Sequence, residues 1–352
     1  MTDRNSPPPD QEPRLILRKA PGSPIGELVV AYRAAKALFA AASLNCFDVV
    51  ASGCHGLDAI SRSMGTKKRP TEVLLDALAA TGFLRKDGRG YHNSSISERY
   101  LVQGKPDYLG DNMRYQDLLW GNWGRLGHVL RSGRVETPLD KLLSRAGGSF
   151  VRDYIRGMSN IAQKPAQAVA ERIPLRRAQR LLDVGAGPGT FTRALLARHP
   201  GMRATVLDLP KTLRLTRRFL AAEIAAKRVT LRSGSYHKDS FGRGRYDLVL
   251  LSHVTHDEGE RENRRLLAKA CAALRPGGCV AIHDFMLKRD GIRPRFAALF
   301  SLHMLVSTRA GRVYKEKEYK DWMRQAGLGG IRKWDICPEA PNATMLLVGR
   351  KR

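Results

Sequence analysis

The sequence is poor in acidic residues, cysteines and aromatic side chains, and it lacks long apolar runs. Its 352 residues include 33 Asp and Glu against 61 Lys and Arg, 5 Cys, and 7% aromatic residues. Without an apolar run of spanning length, an integral membrane protein is excluded. An odd cysteine number without C-x-x-C spacing is typical of reduced thiols, and an opening segment holding acids and prolines excludes a signal peptide. We therefore expect a cytoplasmic protein.

The shortage of acids leaves a net charge of +28, which raises the question of a nucleic-acid partner. Residues 1–110, however, hold 15 Lys and Arg against 11 Asp and Glu, a net +4. The helical segment that follows Pro70 carries Thr71, Glu72 and Asp76, where a groove-reading helix carries Arg, Lys, Asn or Gln. We therefore expect no nucleic-acid partner, and an anionic substrate or partner remains an alternative use of the charge.

Two familiar phosphate-binding patterns are missing from the most informative segment, LLDVGAGPGT at residues 181–190. There is no Gly-Lys-Ser/Thr of a Walker loop, and Thr190 stands where a dinucleotide fingerprint has its third glycine. What is present is an apolar strand that ends in Gly185, Gly187 and Gly189 and passes into a helical pattern. Such a turn at the end of a buried parallel strand predicts a nucleoside cofactor site.

Apolar segments of strand length alternate with helical patterns through the C-terminal half, which predicts an α/β domain with a parallel, doubly wound sheet. A Leu-Arg-Pro-Gly-Gly turn, residues 274–278, precedes the fifth of these segments. The segments are residues 181–184, 204–207, 229–231, 246–251, 279–282, 331–334 and 344–348.

The N-terminal residues 1–92 lack the alternation of strands and helices found in the C-terminal half. Residues 1–23 are rich in proline and charge without periodicity, which predicts a disordered arm. Helical patterns at residues 26–42, 57–60 and 70–81 are followed by a hairpin at residues 83–92, with Asp87-Gly88 as its turn. Two helices followed by a hairpin predict a winged helix.

A winged helix before such a sheet resembles the S-adenosyl-L-methionine-dependent O-methyltransferases of the caffeic-acid and acetylserotonin type and their bacterial relatives. The resemblance covers roughly residues 25–350; its most specific parts are the glycine turn, Asp208-Leu209-Pro210, His256-Asp257 and residues 311–319 before Trp322. It implies a class I methyltransferase sheet of seven strands behind a winged-helix dimerisation domain, and hence a homodimer. The implied division is a disordered arm (1–23), the dimerisation domain (24–108), a helical connector lining the substrate pocket (109–165) and the cofactor-binding catalytic domain (166–352).

The resemblance implies S-adenosyl-L-methionine as cofactor, with S-adenosyl-L-homocysteine as its product. Asp208 would accept the ribose hydroxyls, Ser235 and Tyr236 would meet the adenine, and the family's usual aspartate is replaced at Ser235. Asp208 as a helix cap, Asp183 as a structural group and Tyr236 as core packing remain alternatives. The expected cofactor residues are Asp183, Gly185, Gly187, Gly189, Asp208, Leu209, Ser235, Tyr236 and Ser252.

Methyl transfer to a hydroxyl requires removal of a proton, and a phenol near pKa 10 benefits from a positioned base such as histidine. His256 matches the family's general base, Asp284 the acid that orients it, and Asp257 belongs with them in the catalytic set. Two departures stand out: the family's second acid is replaced by Val313, and the tryptophan that often follows His-Asp is replaced by Glu258.

We expect methyl transfer to a hydroxyl of a small aromatic or polyketide-like acceptor, with Met158, Asn160 and His303 contacting it. Core packing is an equal alternative for His303. His253, His256 and the neighbouring His283-Asp284 could together bind zinc. However, His256 as base and His253 facing the sheet explain the same residues, and the resembling family needs no metal, so we expect none. Three alternatives remain open. They are a C- or N-methyltransferase acting on a similar or tetrapyrrole-like acceptor, a winged-helix DNA-binding metabolite sensor, and an inactive cofactor-binding partner subunit.

Overall fold

The computed structural model describes residues 24–139, 141–142, 148–174 and 179–351. The arm expected at residues 1–23 lies outside the described residues. Internal contacts divide the chain into two compact units, residues 1–120 and 121–352. The finer four-part division expected from the sequence stays a prediction.

The first unit is helical with one hairpin, as the helix–helix–hairpin pattern predicts. The hairpin pairs Asp87 with Gly90, and Gly90 has φ +124° at a point where a Cβ would overlap the carbonyl of His55. Phe47 and Leu75 are among the buried core residues. The elements are α1 (Pro24–Ser43), α2 (Cys46–Ala51), α3 (Leu57–Ser63), α4 (Lys68–Ala80), β1 (Leu84–Asp87), β2 (Gly90–Asn93), α5 (Ser95–Tyr100) and the start of α6 (Gly110–Gly124).

The second unit is built on one large sheet with helices between its strands. Its helices are α7 (Leu126–Ser132), α8 (Gly148–Arg172), α9 (Thr190–Arg198), α10 (Pro210–Phe219), α11 (Ala221–Ala225), α12 (Glu260–Ala273), α13 (Arg295–Ser307) and α14 (Glu316–Gln325). Its strands are β3 (Arg180–Val184), β4 (Arg203–Asp208), β5 (Val229–Ser233), β6 (Tyr246–Ser252), β7 (Leu274–Asp284), β8 (Leu328–Ile336) and β9 (Thr344–Lys351).

The seven strands lie in the order β5-β4-β3-β6-β7-β9-β8, with β9 antiparallel to both of its neighbours. Alternate residues of one strand enter different cores: Leu248 and Leu250 pack with α8 and α9, whereas Val249 and Leu251 pack with α12 and α14. Because a fully buried leucine or valine contributes about 1.5–3 kcal/mol, both faces of the sheet need helical cover. The predicted doubly wound, seven-stranded sheet is confirmed.

The fifth predicted strand is longer than expected. β7 begins at Leu274 and contains the Pro-Gly-Gly turn, with Gly277 at φ +76°. Its pairing with β6 shifts register between Tyr246 and Leu248, which accommodates the irregular residues. Among the described residues, none of the helices combines the length and apolar character that a membrane span requires.

Candidate active site

The candidate site lies at the carboxyl ends of the central strands. The chain leaves β3 for β4 on one side, whereas β6 pairs with β3 on the other side. Ligands of open α/β sheets bind at such a reversal of strand order. The glycine turn follows β3, Asp208 ends β4, the His256 segment follows β6, and Asp284 ends β7.

The glycine turn has the backbone conformation that the sequence predicts. Gly185, Gly187 and Gly189 have φ of +66°, +55° and +78°. A Cβ on Gly185 would lie 2.7 Å from Val254, and one on Gly189 would lie 2.5 Å from Leu220, whereas a Cβ on Gly187 would meet nothing within 4 Å. The open side of Gly187 is therefore where a ligand can approach the backbone.

Asp208 holds the backbone of the same turn. Its carboxylate accepts hydrogen bonds from the amides of Gly187 (2.8 Å) and Leu209 (2.7 Å), so it braces the turn and the start of α10. Burial raises the pKa of Asp208, and these amide hydrogen bonds oppose the shift. Thr212 also donates to this carboxylate, which has about four acceptor positions and so can accept one further donor such as a ribose hydroxyl. Capping and ligand binding are thus compatible roles.

Asp183 has a different position from the other expected cofactor residues. Its carboxylate is 1% exposed and accepts a hydrogen bond from Thr192 on α9 at 2.5 Å. Burial raises its pKa to about 7. This contact ties β3 to α9 across the glycine turn, in agreement with the structural alternative.

The third strand end supplies Ser235 and Tyr236. The Ser235 amide donates to Asp239 at 2.7 Å, and the Tyr236 ring lies 3.8 Å from where a Cβ of Gly185 would stand. Ser252, which ends β6, lies 3.0 Å from Nδ1 of His283. Tyr236 therefore lies at the glycine turn, whereas the Ser252 hydroxyl contacts His283 of the neighbouring strand β7.

His256 and Asp284 form a close, buried pair. Nδ1 of His256 lies 2.6 Å from Oδ1 of Asp284, and Oδ2 accepts from the Thr255 hydroxyl at 2.5 Å. The Thr255 hydroxyl also lies 2.8 Å from the Tyr319 hydroxyl. In this arrangement Nδ1 carries a proton and donates it in a hydrogen bond to the Asp284 carboxylate, which leaves Nε2 for another partner.

His256 and Asp284 shift each other's pKa. Burial acts to lower the pKa of His256, but the charges of Asp284 and Asp257 and the hydrogen bond to Asp284 raise it to about 9. Burial acts to raise the pKa of Asp284, but the charge and hydrogen bond of His256 hold it at about 2. The pair is therefore an imidazolium–carboxylate pair at neutral pH.

Asp257 and His253 flank the pair. Asp257 Oδ1 lies 3.7 Å from Nε2 of His256, and His253 Nδ1 lies 3.7 Å from Oδ1 of Asp284. Burial lowers the pKa of His253 to about 4, so its ring is neutral. The ligand atoms of His253, His256 and Asp284 lie within 4.8 Å of one another, a set that could hold a metal ion. The acid–base interpretation stays a prediction.

An aromatic wall, defined here as Phe285, Phe296, Phe300 and His303, extends from His256. The His256 ring lies 5.0 Å from the Phe300 ring, which lies 5.4 Å from the ring of His303. His303 stacks on Trp123 at 6.0 Å, and burial together with the charge of His256 lowers its pKa to about 4. His303, for which core packing and substrate contact were both open, is thereby part of a surface continuous with His256.

The other two expected acceptor residues lie on α8. Met158 is half-buried, and Oδ1 of Asn160 is buried without a hydrogen-bond partner among the described residues. Tyr154 of the same helix is near enough for the charges of Asp257 and Asp208 to add to the effect of burial in raising its pKa. This third residue gave no signal in the sequence beyond its place on a helix.

The sequence argument missed the hydrogen-bonding roles of Thr255 and Tyr319. Thr255 and Tyr319 complete the hydrogen bonds around Asp284, although they are 64 residues apart. Val313, in place of a second acid, is buried in the apolar cluster that contains Phe285. Gly311 lies so close to the segment of His256 that a Cβ would overlap the His256 carbonyl. The Gly311 backbone thus supports His256.

Comparison with family models decides the assignment. Residues 143–329 match the model of the O-methyltransferase domain, and residues 27–103 match that of the O-methyltransferase dimerisation domain. The chain belongs to the O-methyltransferase family. The family named from the sequence motifs is thus confirmed, and so is the enzyme class.

Individual relatives agree with this assignment. This O-methyltransferase is 32% identical to the 3-hydroxy-5-methyl-1-naphthoate 3-O-methyltransferase of Streptomyces sahachiroi, over 89% of this chain and 91% of the relative. It is 28% identical to the tetracenomycin polyketide synthesis 8-O-methyl transferase of Streptomyces glaucescens, over 95% and 97% of the two chains. The structure of human N-acetylserotonin methyltransferase in complex with SAM superimposes with a TM-score of 0.83 at 22% identity, covering 95% and 99%, and shows the same fold.

Proposed function

We propose that this O-methyltransferase transfers a methyl group from S-adenosylmethionine to a hydroxyl of a small aromatic or polyketide-like acceptor, with His256 as general base. The observation that carries the proposal is the 2.6 Å contact between His256 Nδ1 and Asp284 at the carboxyl edge of the sheet. A base needs an orienting partner on one nitrogen and access to the proton on the other. Nε2 of His256 would meet the second requirement, because Nδ1 is the nitrogen that contacts Asp284.

The residues at the turn fit the donor. The open side of Gly187 would let the amino-acid chain of the donor pass close to the backbone. The Asp208 carboxylate would hold its ribose, and the Tyr236 ring would contact its adenine base. When bound, S-adenosylmethionine supplies an electrophilic methyl group on a positively charged sulfur. The protein's own task is to align the acceptor oxygen, to exclude water and to take up its proton at Nε2 of His256.

The raised pKa of His256 has a specific consequence. A base must be neutral to accept a proton, yet a pKa of about 9 keeps this ring charged at neutral pH. His256 gives up its proton more readily beside another positive charge. A positive charge bound in the neighbouring donor site would therefore lower the pKa of His256. Donor binding therefore favours the neutral base.

The aromatic wall indicates the acceptor class. Phe300 is half-buried beside His256 and is backed by the buried ring of Phe285 at 4.5 Å, so it would offer a flat apolar surface to a planar molecule. The two bacterial relatives are named for a naphthoate and for polyketide synthesis, which supports an aromatic or polyketide-like acceptor here. The neutral rings of His253 and His303 add hydrogen-bonding groups without a charge.

We also propose a homodimer through the first unit. The dimerisation-domain match covers residues 27–103, and one helix of that unit carries exposed apolar side chains. On α1, Ile25 is 73% exposed and Leu28 is 66% exposed. A partner surface packed on this part of α1 would remove these side chains from water.

The test is binding followed by turnover. The purified protein is titrated calorimetrically with S-adenosylhomocysteine and, separately, with NAD; one site per chain for the first ligand alone is expected. Hydroxynaphthoates, N-acetylserotonin and polyketide phenols are then supplied with labelled S-adenosylmethionine, and the product is examined by mass spectrometry and NMR. A new methoxy group supports the proposal, whereas a product methylated only on carbon or nitrogen overturns the hydroxyl as target.

A further inference from the structure

Glu258 makes two side-chain contacts that the proposed chemistry does not use. Its Oε1 accepts a hydrogen bond from the Tyr236 hydroxyl at 2.7 Å and lies 3.1 Å from Nε2 of His237. The side chain is only 14% exposed. A carboxylate is acceptor-only and costly to bury, so its partners define where it can lie.

The backbone of Glu258 is held as firmly as its side chain. Its carbonyl accepts hydrogen bonds from the Tyr314 hydroxyl at 2.6 Å and from Nδ2 of Asn263 at 3.2 Å. Glu258 therefore offers the Tyr236 hydroxyl a fixed acceptor. Because Glu258 is two residues from His256, one short segment carries both the proposed base and this acceptor.

The Tyr236 ring lies between this anchor and the donor side of the site. The ring edge is 3.8 Å from the position that a Cβ of Gly185 would occupy. The backbone carbonyl of Tyr236 accepts a hydrogen bond from Nζ of Lys269 at 2.6 Å. Burial raises the pKa of the Tyr236 hydroxyl, and the charges of Asp257, Glu258 and Asp208 add to the shift. The ring is thus near the carboxylate proposed for the ribose.

We propose that Glu258 is a positioning residue for donor binding, whose carboxylate holds the Tyr236 ring at the glycine turn so that its face stacks on the adenine. The inference rests on the proposed function, because it requires an adenosine ligand. A buried tyrosine hydroxyl without a partner is unfavourable, so loss of Glu258 lets the ring leave this position. If the competent ring position then falls to about one tenth of the population, apparent affinity falls about tenfold.

The test is a double-mutant cycle read by calorimetric titration with S-adenosylhomocysteine. Glu258→Leu and Tyr236→Phe are each expected to weaken binding roughly tenfold. The double variant is expected to be no weaker than either single variant, because each removes the same hydrogen bond. Glu258→Gln keeps an oxygen acceptor and is expected to restore wild-type affinity.

Controls and kinetics separate this role from a structural one. Glu262 lies beside Glu258 but pairs with Arg265 at 3.2 Å, so Glu262→Gln is expected to bind like the wild type. In turnover, Glu258→Leu is expected to raise the KM for S-adenosylmethionine while kcat stays within a few-fold. A thermal melt of each variant confirms that it is folded.

Two results would overturn the inference while the proposed function stands. They are wild-type affinity in both Tyr236→Phe and Glu258→Leu, or losses that simply add in the double variant. Absence of S-adenosylhomocysteine binding by the wild-type protein would overturn the proposed function, and the inference with it.

Discussion

The His256–Asp284 pair shows how one contact sets two pKa values in opposite directions. Both side chains are buried, so neither would be charged by itself without a large cost in free energy. Together they raise the pKa of His256 to about 9 and hold that of Asp284 at about 2. Because the proposed base works only when neutral, activity should increase as His256 loses its proton.

His256→Ala should lower kcat/KM for a hydroxyl acceptor by roughly 10²–10⁴-fold, the usual contribution of acid–base catalysis. In the wild type, log kcat/KM should rise with pH and level off above the pKa of His256, which is about 9 in the free enzyme and lower once the donor is bound, since deprotonation produces the active form. The variant should lack this dependence and bind S-adenosylhomocysteine almost normally. Full activity in the alanine variant would assign the proton to another group.

Asp284→Asn should lower kcat/KM and also move the pH dependence. Without the carboxylate charge, the pKa of His256 falls, so the rising limb shifts to lower pH. The matched control is Asp257→Asn, since Asp257 is 34% exposed and 3.7 Å from the ring, and its effect on the limb should be smaller. Equal shifts in the two variants, measured as kcat/KM from pH 6 to 10, would contradict this ranking.

At the scale of elements, local sequence patterns predict which residues lie at the strand ends. Contacts between loops depend on long-range packing. The glycine turn, Asp208, His256 and Asp284 each follow an apolar strand, so parallel pairing alone places them at one edge. The Tyr236–Glu258 hydrogen bond joins residues 22 apart and depends on how two loops pack. No period or spacing in the sequence carries that information.

The sequence predicts a left-handed backbone conformation only at positions where it has a glycine. His253 adopts φ +54°, a left-handed conformation that a side chain disfavours, directly after β6. Its amide donates to the carbonyl of His283 at 2.9 Å, which extends the pairing of β6 and β7 by one residue. This bend redirects the chain into the segment of His256, and a histidine gives no sequence signal for it.

The glycine turn carries the prediction at this scale. Gly187→Val should fold and lose S-adenosylhomocysteine affinity by at least roughly tenfold, because its side chain would occupy the open side of the turn. Gly277→Val is the matched control: Gly277 also has a positive φ, +76°, with nothing within 4 Å of a Cβ. Similar melting temperatures with affinity lost only at Gly187 are expected. Normal affinity in Gly187→Val would refute this placement of the donor.

At the scale of the whole molecule, the two units differ in what their surfaces offer. The excess positive charge lies mainly outside residues 1–110, whereas α1 presents apolar side chains. Leu28→Glu should therefore produce monomers in sedimentation velocity, because burying a carboxylate opposes association. Ile292→Glu, at a position 68% exposed in the second unit, should leave a dimer. A monomeric wild type would exclude the proposed assembly, and a dimeric Leu28→Glu would exclude α1 as its site.

Three of the four residues of the aromatic wall are carried by a different part of the chain from the proposed base. Phe296, Phe300 and His303 belong to a single helix of 13 residues, α13, whereas His256 and Asp284 are set by neighbouring strands. Acceptor choice and methyl chemistry are consequently separable under mutation. Libraries confined to α13 should yield enzymes with altered acceptor preference and an unchanged donor, so this one helix is the economical target for directed evolution.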